Sequence, residues 1–299
     1  MDRFNPRAAS KLLEHNVWIW EEGSNYYSCD GTWKKPEHSN GDTSIDTSAS
    51  KTVTTLVTNW CEDFVLALDL CPWAKASLQT RGAMRFFLVP PSSSSSSSSF
   101  ETRPQETQRQ RMGTIVDTVT KRFQTEILAR AAEGGAISDK NPSSSVLEKA
   151  AIYFLVFLPN EHNCSTEEQS PVTMLPDSFF DFIDWFTELE EDWPEEYDNV
   201  IVAPFHPSWE FGGSASGVEA CLDYEKRSPY PLVTLVSTDV VEKAGAIVTE
   251  AIGEHNKQVL LGIEREQRES SEKSHYLNAS VGELWWSAVY GNTAKKTTQ

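Results

Sequence analysis

Residues 200–237 read VIVAPFHPSWEFGGSASGVEACLDYEKRSPYPLVTLVS. Two apolar runs, Val200–Phe205 and Leu232–Val236, bracket a loop rich in Gly, Ser and Pro. Short apolar runs bounded by turn residues read as strands. The stretch therefore predicts two strands with reactive side chains mounted between them. His206 stands at the start of the loop, and Lys226, Arg227, Ser228 and Tyr230 at its end. Loops held by rigid strands are where binding and catalytic groups usually sit. The two strands can pair antiparallel or lie apart, and the pattern leaves both open.

Working outward, the same logic yields an alternating chain. Upstream, Ser178 can cap a helix over about 179–193, with Asp181 completing a capping box. Its spacing predicts burial of Phe179, Ile183, Phe186, Leu189 and Trp193. Ala151–Leu158 (AIYFLVFL) is a continuous apolar run, the pattern of a central strand covered on both faces. Before it, a helix is expected over about 112–132 and a short strand at Arg85–Val89. Val53, Val57, Trp60, Phe64 and Leu68 share one face of a helix over 52–70. Downstream, Thr238 or Asp239 can cap a helix running to Leu260 or beyond, and Leu284–Tyr290 can pack back onto the body. Helices alternating with strands imply one sheet with helices on it. The expected fold is α+β: one domain, a mixed sheet of about four strands, and long disordered insertions.

The domain plan follows. Residues 1–51 read as a partly disordered N-terminal extension in which His15–Trp20 has strand character. Residues 52–262 read as the core, interrupted at about 90–111 by a low-complexity segment that includes the serine tract Ser92–Ser99. Residues 263–299 read as a charged segment and tail.

Composition narrows the function classes. The chain has 299 residues, 39% of them hydrophobic, and a net charge of -18. Between Lys149 and Lys226 there is no Lys or Arg, against seventeen Asp and Glu. Such a surface repels phosphate backbones and anionic lipid, so neither nucleic acid nor membrane is an expected partner. The N-terminus lacks the apolar core of a signal peptide, and no apolar run approaches membrane-spanning length. The five cysteines show no CxxC and no zinc spacing. The expectation is an acidic, soluble, cytoplasmic protein with reduced thiols, no cofactor and no metal. Nothing in the chain speaks to its oligomeric state.

Two segments can carry chemistry. In Leu70–Lys75 (LCPWAK), Cys71 either ends the helix before Pro72 or caps a new turn that Pro72 opens. In the first case the helix dipole disfavours the thiolate, and in the second it favours it. His206, at a strand end, can act as base or simply bond a loop carbonyl. Arg227, stiffened by Pro229 and Pro231, suits a carboxylate or phosphate together with Ser228, or it neutralises Asp223 or Glu225. Lys75 and Tyr230 complete the expected substrate-binding set. Gly212–Gly217 could wrap an anion but is neither a P-loop nor GxSxG.

With these motifs in view, the chain resembles the family of domains of unknown function numbered 1415, short bacterial proteins with relatives in algae. The likeness rests on Leu70-Cys71-Pro72-Trp73-Ala74-Lys75, on Phe205-His206-Pro207 with Phe211, and on Arg227-Ser228-Pro229-Tyr230-Pro231. Weaker agreement continues at Ile252, Glu254, Asn256 and Leu260. No activity attaches to that resemblance. Trp73 stands where Phe is typical, and Asp223 and Lys226 where amides are expected.

Two functional readings therefore stand. One is a thiol-dependent enzyme on a small anionic substrate, with Cys71 as nucleophile or redox thiol, His206 as base, and Arg227 with Ser228 as anion clamp. The alternative is a non-catalytic small-anion-binding module or an acidic protein-interaction domain.

Overall fold

The computed structural model describes residues 17–19, 27–28, 47–79, 83–90, 104–134, 151–158, 176–211, 218–237, 246–273 and 279–294. The serine tract, the Gly212–Gly217 loop, Asn160–Pro171 and the expected caps Thr238 and Asp239 lie outside them.

The architecture is α+β. Four strands of six residues form the body of a mixed sheet: β3 (Met84–Val89), β4 (Ile152–Phe157), β5 (Val200–Phe205) and β6 (Leu232–Ser237). Two short strands, β1 (Val17–Ile19) and β2 (Tyr27–Ser28), extend one edge, giving the order β2-β1-β3-β4-β6-β5. The strand character of His15–Trp20 thus resolves into parallel pairing of β1 with β3, Trp18 opposite Phe87. The choice left open for β5 and β6 falls to direct antiparallel pairing, with Phe205 opposite Leu232. β3 and β4 run parallel, and β4 and β6 antiparallel. Consequently β3, β4 and β5 all end at the edge where β6 begins.

Every residue of β4 is buried, as its unbroken apolar run requires of a strand covered on both faces. Because side chains alternate along a strand, the sheet feeds two cores. Phe86, Leu88, Phe154, Val156 and Leu232 face one way. They meet α1 (Thr47–Trp60), α5 (Ala246–Lys273) and α6 (Val281–Ala294) through Val57, Trp60, Leu260, Val281 and Trp285. Phe87, Val89, Tyr153, Leu155, Phe157, Val233 and Leu235 face the other way. They meet α3 (Pro104–Gly134) and α4 (Phe179–Glu191) through Ile115, Val119, Phe123, Phe182 and Trp185.

Three helices depart from the sequence-based expectation. α3 begins at Pro104, two turns before the expected Met112. Its first turns have no apolar stripe to reveal them. Proline at the first helical position presets φ, and Arg109 ties the segment to Asp184 and Glu188 of α4 at 2.7 Å each. α4 has its expected cap, the Asp181 N–H donating to Ser178 Oγ, but it buries Phe182, Trp185 and Phe186 rather than the full stripe from Phe179 to Trp193. Phe179 turns aside to pack on His206 and Trp209. The third is the helix expected over 52–70. It is α-helical only to Trp60, widens into a π-helical segment over Cys61–Leu66, and reverses through Asp69, whose φ is 56°. Aspartate is among the few side chains that tolerate that left-handed conformation. Pro72 then opens α2 (Pro72–Gln79).

Candidate functional site

That local structure decides between the two positions open to Cys71. With Pro72 as the first residue of α2, Cys71 is the cap: its carbonyl accepts the Ala74 N–H at 3.2 Å, and the N–H groups of Trp73 and Ala74 donate to its sulfur. Both contacts favour the thiolate, as does the Lys226 ammonium nearby. Burial outweighs them and pushes the thiol above its ordinary range. Cys71 is half-buried and packs against the α1/α5 core.

Lys226 follows a 3-10 segment, Val218–Glu225, and is tied to the end of β5 by the His206 N–H donating to its carbonyl at 3.2 Å. Its ammonium lies 4.7 Å from the Phe205 ring centroid. Burial lowers its pKa, against the opposing pull of Glu225, Glu190 and the Cys71 sulfur. Its Nζ makes no hydrogen bond or ion pair to any of the described residues. Asn256, 3% exposed, holds the two segments together. Its Nδ2 donates to Leu70 O at 3.1 Å and to Glu225 Oε1 at 2.9 Å. Trp60, in T-shaped contact with Phe205 at 5.6 Å, carries a buried Nε1–H with no acceptor among the described residues. Glu62, in the π-helical segment, has a buried Oε1 without a partner among the described residues, and burial with Asp63 nearby raises its pKa to about 7.

His206 belongs elsewhere. Phe205 packs into the α1/α5 core, so the next side chain points to the opposite face of the sheet. There the imidazole packs against Phe179 and Phe182, at 5.5 Å each. Nδ1 accepts the Ser208 N–H at 3.1 Å, which leaves Nε2–H to donate to Pro176 O at 3.2 Å. Burial lowers its pKa to about 4, so it is neutral at pH 7 and both nitrogens are occupied. Among the described residues no hydrogen bond joins it to Cys71.

The remaining expected residues are engaged with their own loop. Arg227 donates from Nε to Trp209 O at 3.0 Å, lies 3.5 Å from Asp223 and stacks over Tyr224 at 4.5 Å. Ser228, fully buried, donates to Tyr230 O at 2.6 Å. Tyr230 is half-buried against the α1/α5 core, and burial with Tyr290 nearby raises its phenol pKa. The side chain of Lys75 lies outside the described residues, as does the Gly212–Gly217 loop.

The arrangement therefore gathers Cys71, Lys226, Asn256 and Trp60 on one face of the sheet, near the edge where β5 ends. Lys226 and Asn256 are the residues a motif reading undervalues. The available signal for Asn256 is its place in the row Ile252, Asn256, Leu260, four apart on one helix face, where an amide interrupts an otherwise apolar stripe.

Among the described residues no helix is long and apolar enough to cross a membrane, and no group of three His, Cys, Asp or Glu side chains is placed to hold a metal ion. Residues 162–270 match the family described as Protein of unknown function (DUF1415), which supports the resemblance read from the sequence motifs. The matched segment includes His206, Lys226, Arg227 and Asn256, whereas Cys71 precedes it. No curated protein and no solved structure matches the chain.

Proposed function

We propose that the chain binds a small anionic molecule at the Cys71–Lys226 face, with Lys226 as the anion-binding group. The observation that carries this reading is the Lys226 side chain: half-buried, with its ammonium 4.7 Å from the Phe205 ring centroid, it makes no hydrogen bond or ion pair to any described residue. A partly desolvated charge without a hydrogen-bonded partner gains from one. An anionic ligand supplies the missing acceptor, and the two N–H groups at the start of α2 add to the positive field. Arg227 and Ser228, turned onto Trp209, Asp223 and Tyr230, brace the loop instead of clamping the anion.

Thiol-dependent catalysis is the second reading, favoured by one observation: Cys71 caps α2 beside a lysine. In that reading Lys226 takes the supporting role first expected of His206.

One experiment separates them. Thermal melts of the full chain with phosphate, sulfate and small carboxylates are expected to show saturable stabilisation, about 2.7 kcal/mol at a hundredfold excess over Kd. The shift should vanish in Lys226→Met, and the bound anion should slow alkylation of Cys71 by iodoacetamide. A shift that persists in Lys226→Met overturns the binding reading. Alkylation already at its plateau near neutral pH, and slowed in Lys226→Met, establishes an activated thiolate and the catalytic reading.

A further inference from the structure

Asn256 holds information about the ligand beyond its charge. Both protons of its Nδ2 are committed, to Leu70 O and to Glu225 Oε1. These partners are acceptors, so they fix the orientation of the amide. Oδ1 is left buried with no donor among the described residues. An unmet buried acceptor costs about 1–3 kcal/mol, and a leucine would continue the stripe from Ile252 to Leu260 without that penalty. The residues gripping the amide, Leu70 and Glu225, are the immediate chain neighbours of Cys71 and Lys226. The acceptor that lacks a described donor thus sits at the junction of the two segments that carry Cys71 and Lys226.

Resting on the anion reading above, we propose that the ligand is a small organic acid that also carries a hydrogen-bond donor, a hydroxy or amino acid rather than a plain carboxylate. Its acid group meets Lys226, and its O–H or N–H donates to Asn256 Oδ1. The Trp60 Nε1–H, buried in the same core without an acceptor, can take a further ligand oxygen. A site built to receive a donor discriminates against the analogue lacking it, because the protein acceptor is then left unmet.

Isosteric probe pairs test this on the full-length protein. Propionate is compared with glycolate and glycine, and methylsuccinate with malate and aspartate, by calorimetric titration. Within at least one set the donor-bearing acid should bind tighter by about tenfold or more. In Asn256→Leu, whose folding is checked by circular dichroism, that preference should disappear. Equal affinity within every set on the wild-type protein overturns the inference yet leaves the anion site standing, and needs no variant to read. Absence of binding by any of these acids, or by phosphate and sulfate, overturns the anion site itself.

Discussion

The two faces of the sheet treat buried polar groups differently. On the α3/α4 face they are mostly satisfied. Glu126 accepts from Arg85 at 2.8 Å, from Arg122 at 2.9 Å and from the Tyr153 hydroxyl. Burial alone would raise its pKa, but these partners hold it below the ordinary value. Asp117 accepts from the Tyr197 hydroxyl, and His206 has both nitrogens matched. The exceptions on that side are the indole N–H groups of Trp193 and Trp209. On the other face Thr58, Trp60, Glu62 and Asn256 each bury a polar atom with no partner among the described residues, and the half-buried Lys226 ammonium meets no described acceptor. Native interiors leave few such groups unpaired, and the anion-binding proposal offers a partner for those on the Cys71 side of the sheet. The lesson concerns where to look. Histidine is the more familiar catalytic residue, yet here both of its ring nitrogens already have partners.

The largest effect expected from this contrast comes from removing His206. His206→Ala opens a cavity beside Phe179 and Phe182 and strands Pro176 O and the Ser208 N–H. Together these should cost about 4 kcal/mol in urea unfolding. Whatever fraction still folds should keep its stabilisation by small anions. Loss of the anion response in folded protein would show that the two faces act as one site, and the contrast would fail.

A pH series sharpens the same contrast with a smaller effect. The folded His206 has its pKa lowered from 6.5 to about 4. Below 6.5 the unfolded chain takes up a proton that the folded chain refuses. Its contribution is therefore complete above 6.5 and lost between there and about 4, about 3 kcal/mol in all. Glu62 works in the opposite sense. Its pKa rises from 4.5 to about 7, so the stability it contributes is complete below 4.5 and lost as pH climbs through 7. The wild-type profile should be flattened between 4.5 and 6.5, where the two slopes oppose. Glu62→Gln should gain stability over wild type near neutral pH and not in acid, while His206→Leu should lose the acid decline. Parallel profiles in all three proteins would remove both assignments.

How far the chain could be read in advance follows from the same physics. β4 was legible because an unbroken apolar run has one stable destination, the middle of a covered sheet. The β5–β6 pair was legible as two strands but not as a pairing, because the intervening loop permits either arrangement. The site was harder. Whether Pro72 ends one helix or begins another turned on the π-helical segment at Cys61–Leu66 and the reversal at Asp69, which leave no periodic trace in sequence. The Cys71–His206 pair looked plausible because both stand at element ends. Alternation along β5 sends Phe205 and His206 to opposite faces, and that single-residue parity depends on which face each strand residue takes in the assembled sheet. Arg227 was correctly read as a possible partner of Asp223, while Lys226, one residue earlier, carried the unmatched charge.

The smallest expected effect is also the sharpest test of the contrast. Lys226→Met keeps an unbranched stem to pack on Phe205 and removes the ammonium. The loss of the cation–π contact, 4.7 Å from the ring centroid, counts against the variant. The loss of a desolvated charge with no acceptor counts for it. For a contact of this kind the first effect is about 0.5–2 kcal/mol, and the second is of similar or greater size. Urea unfolding without ligand should therefore show anything from no change to a gain of about 1 kcal/mol. Such an outcome would mean that the wild-type residue is kept for what it binds, not for folding. A clear loss, beyond about 1 kcal/mol, would mean that Lys226 is already satisfied within the fold. The face around Cys71 would then be as complete as the one around His206.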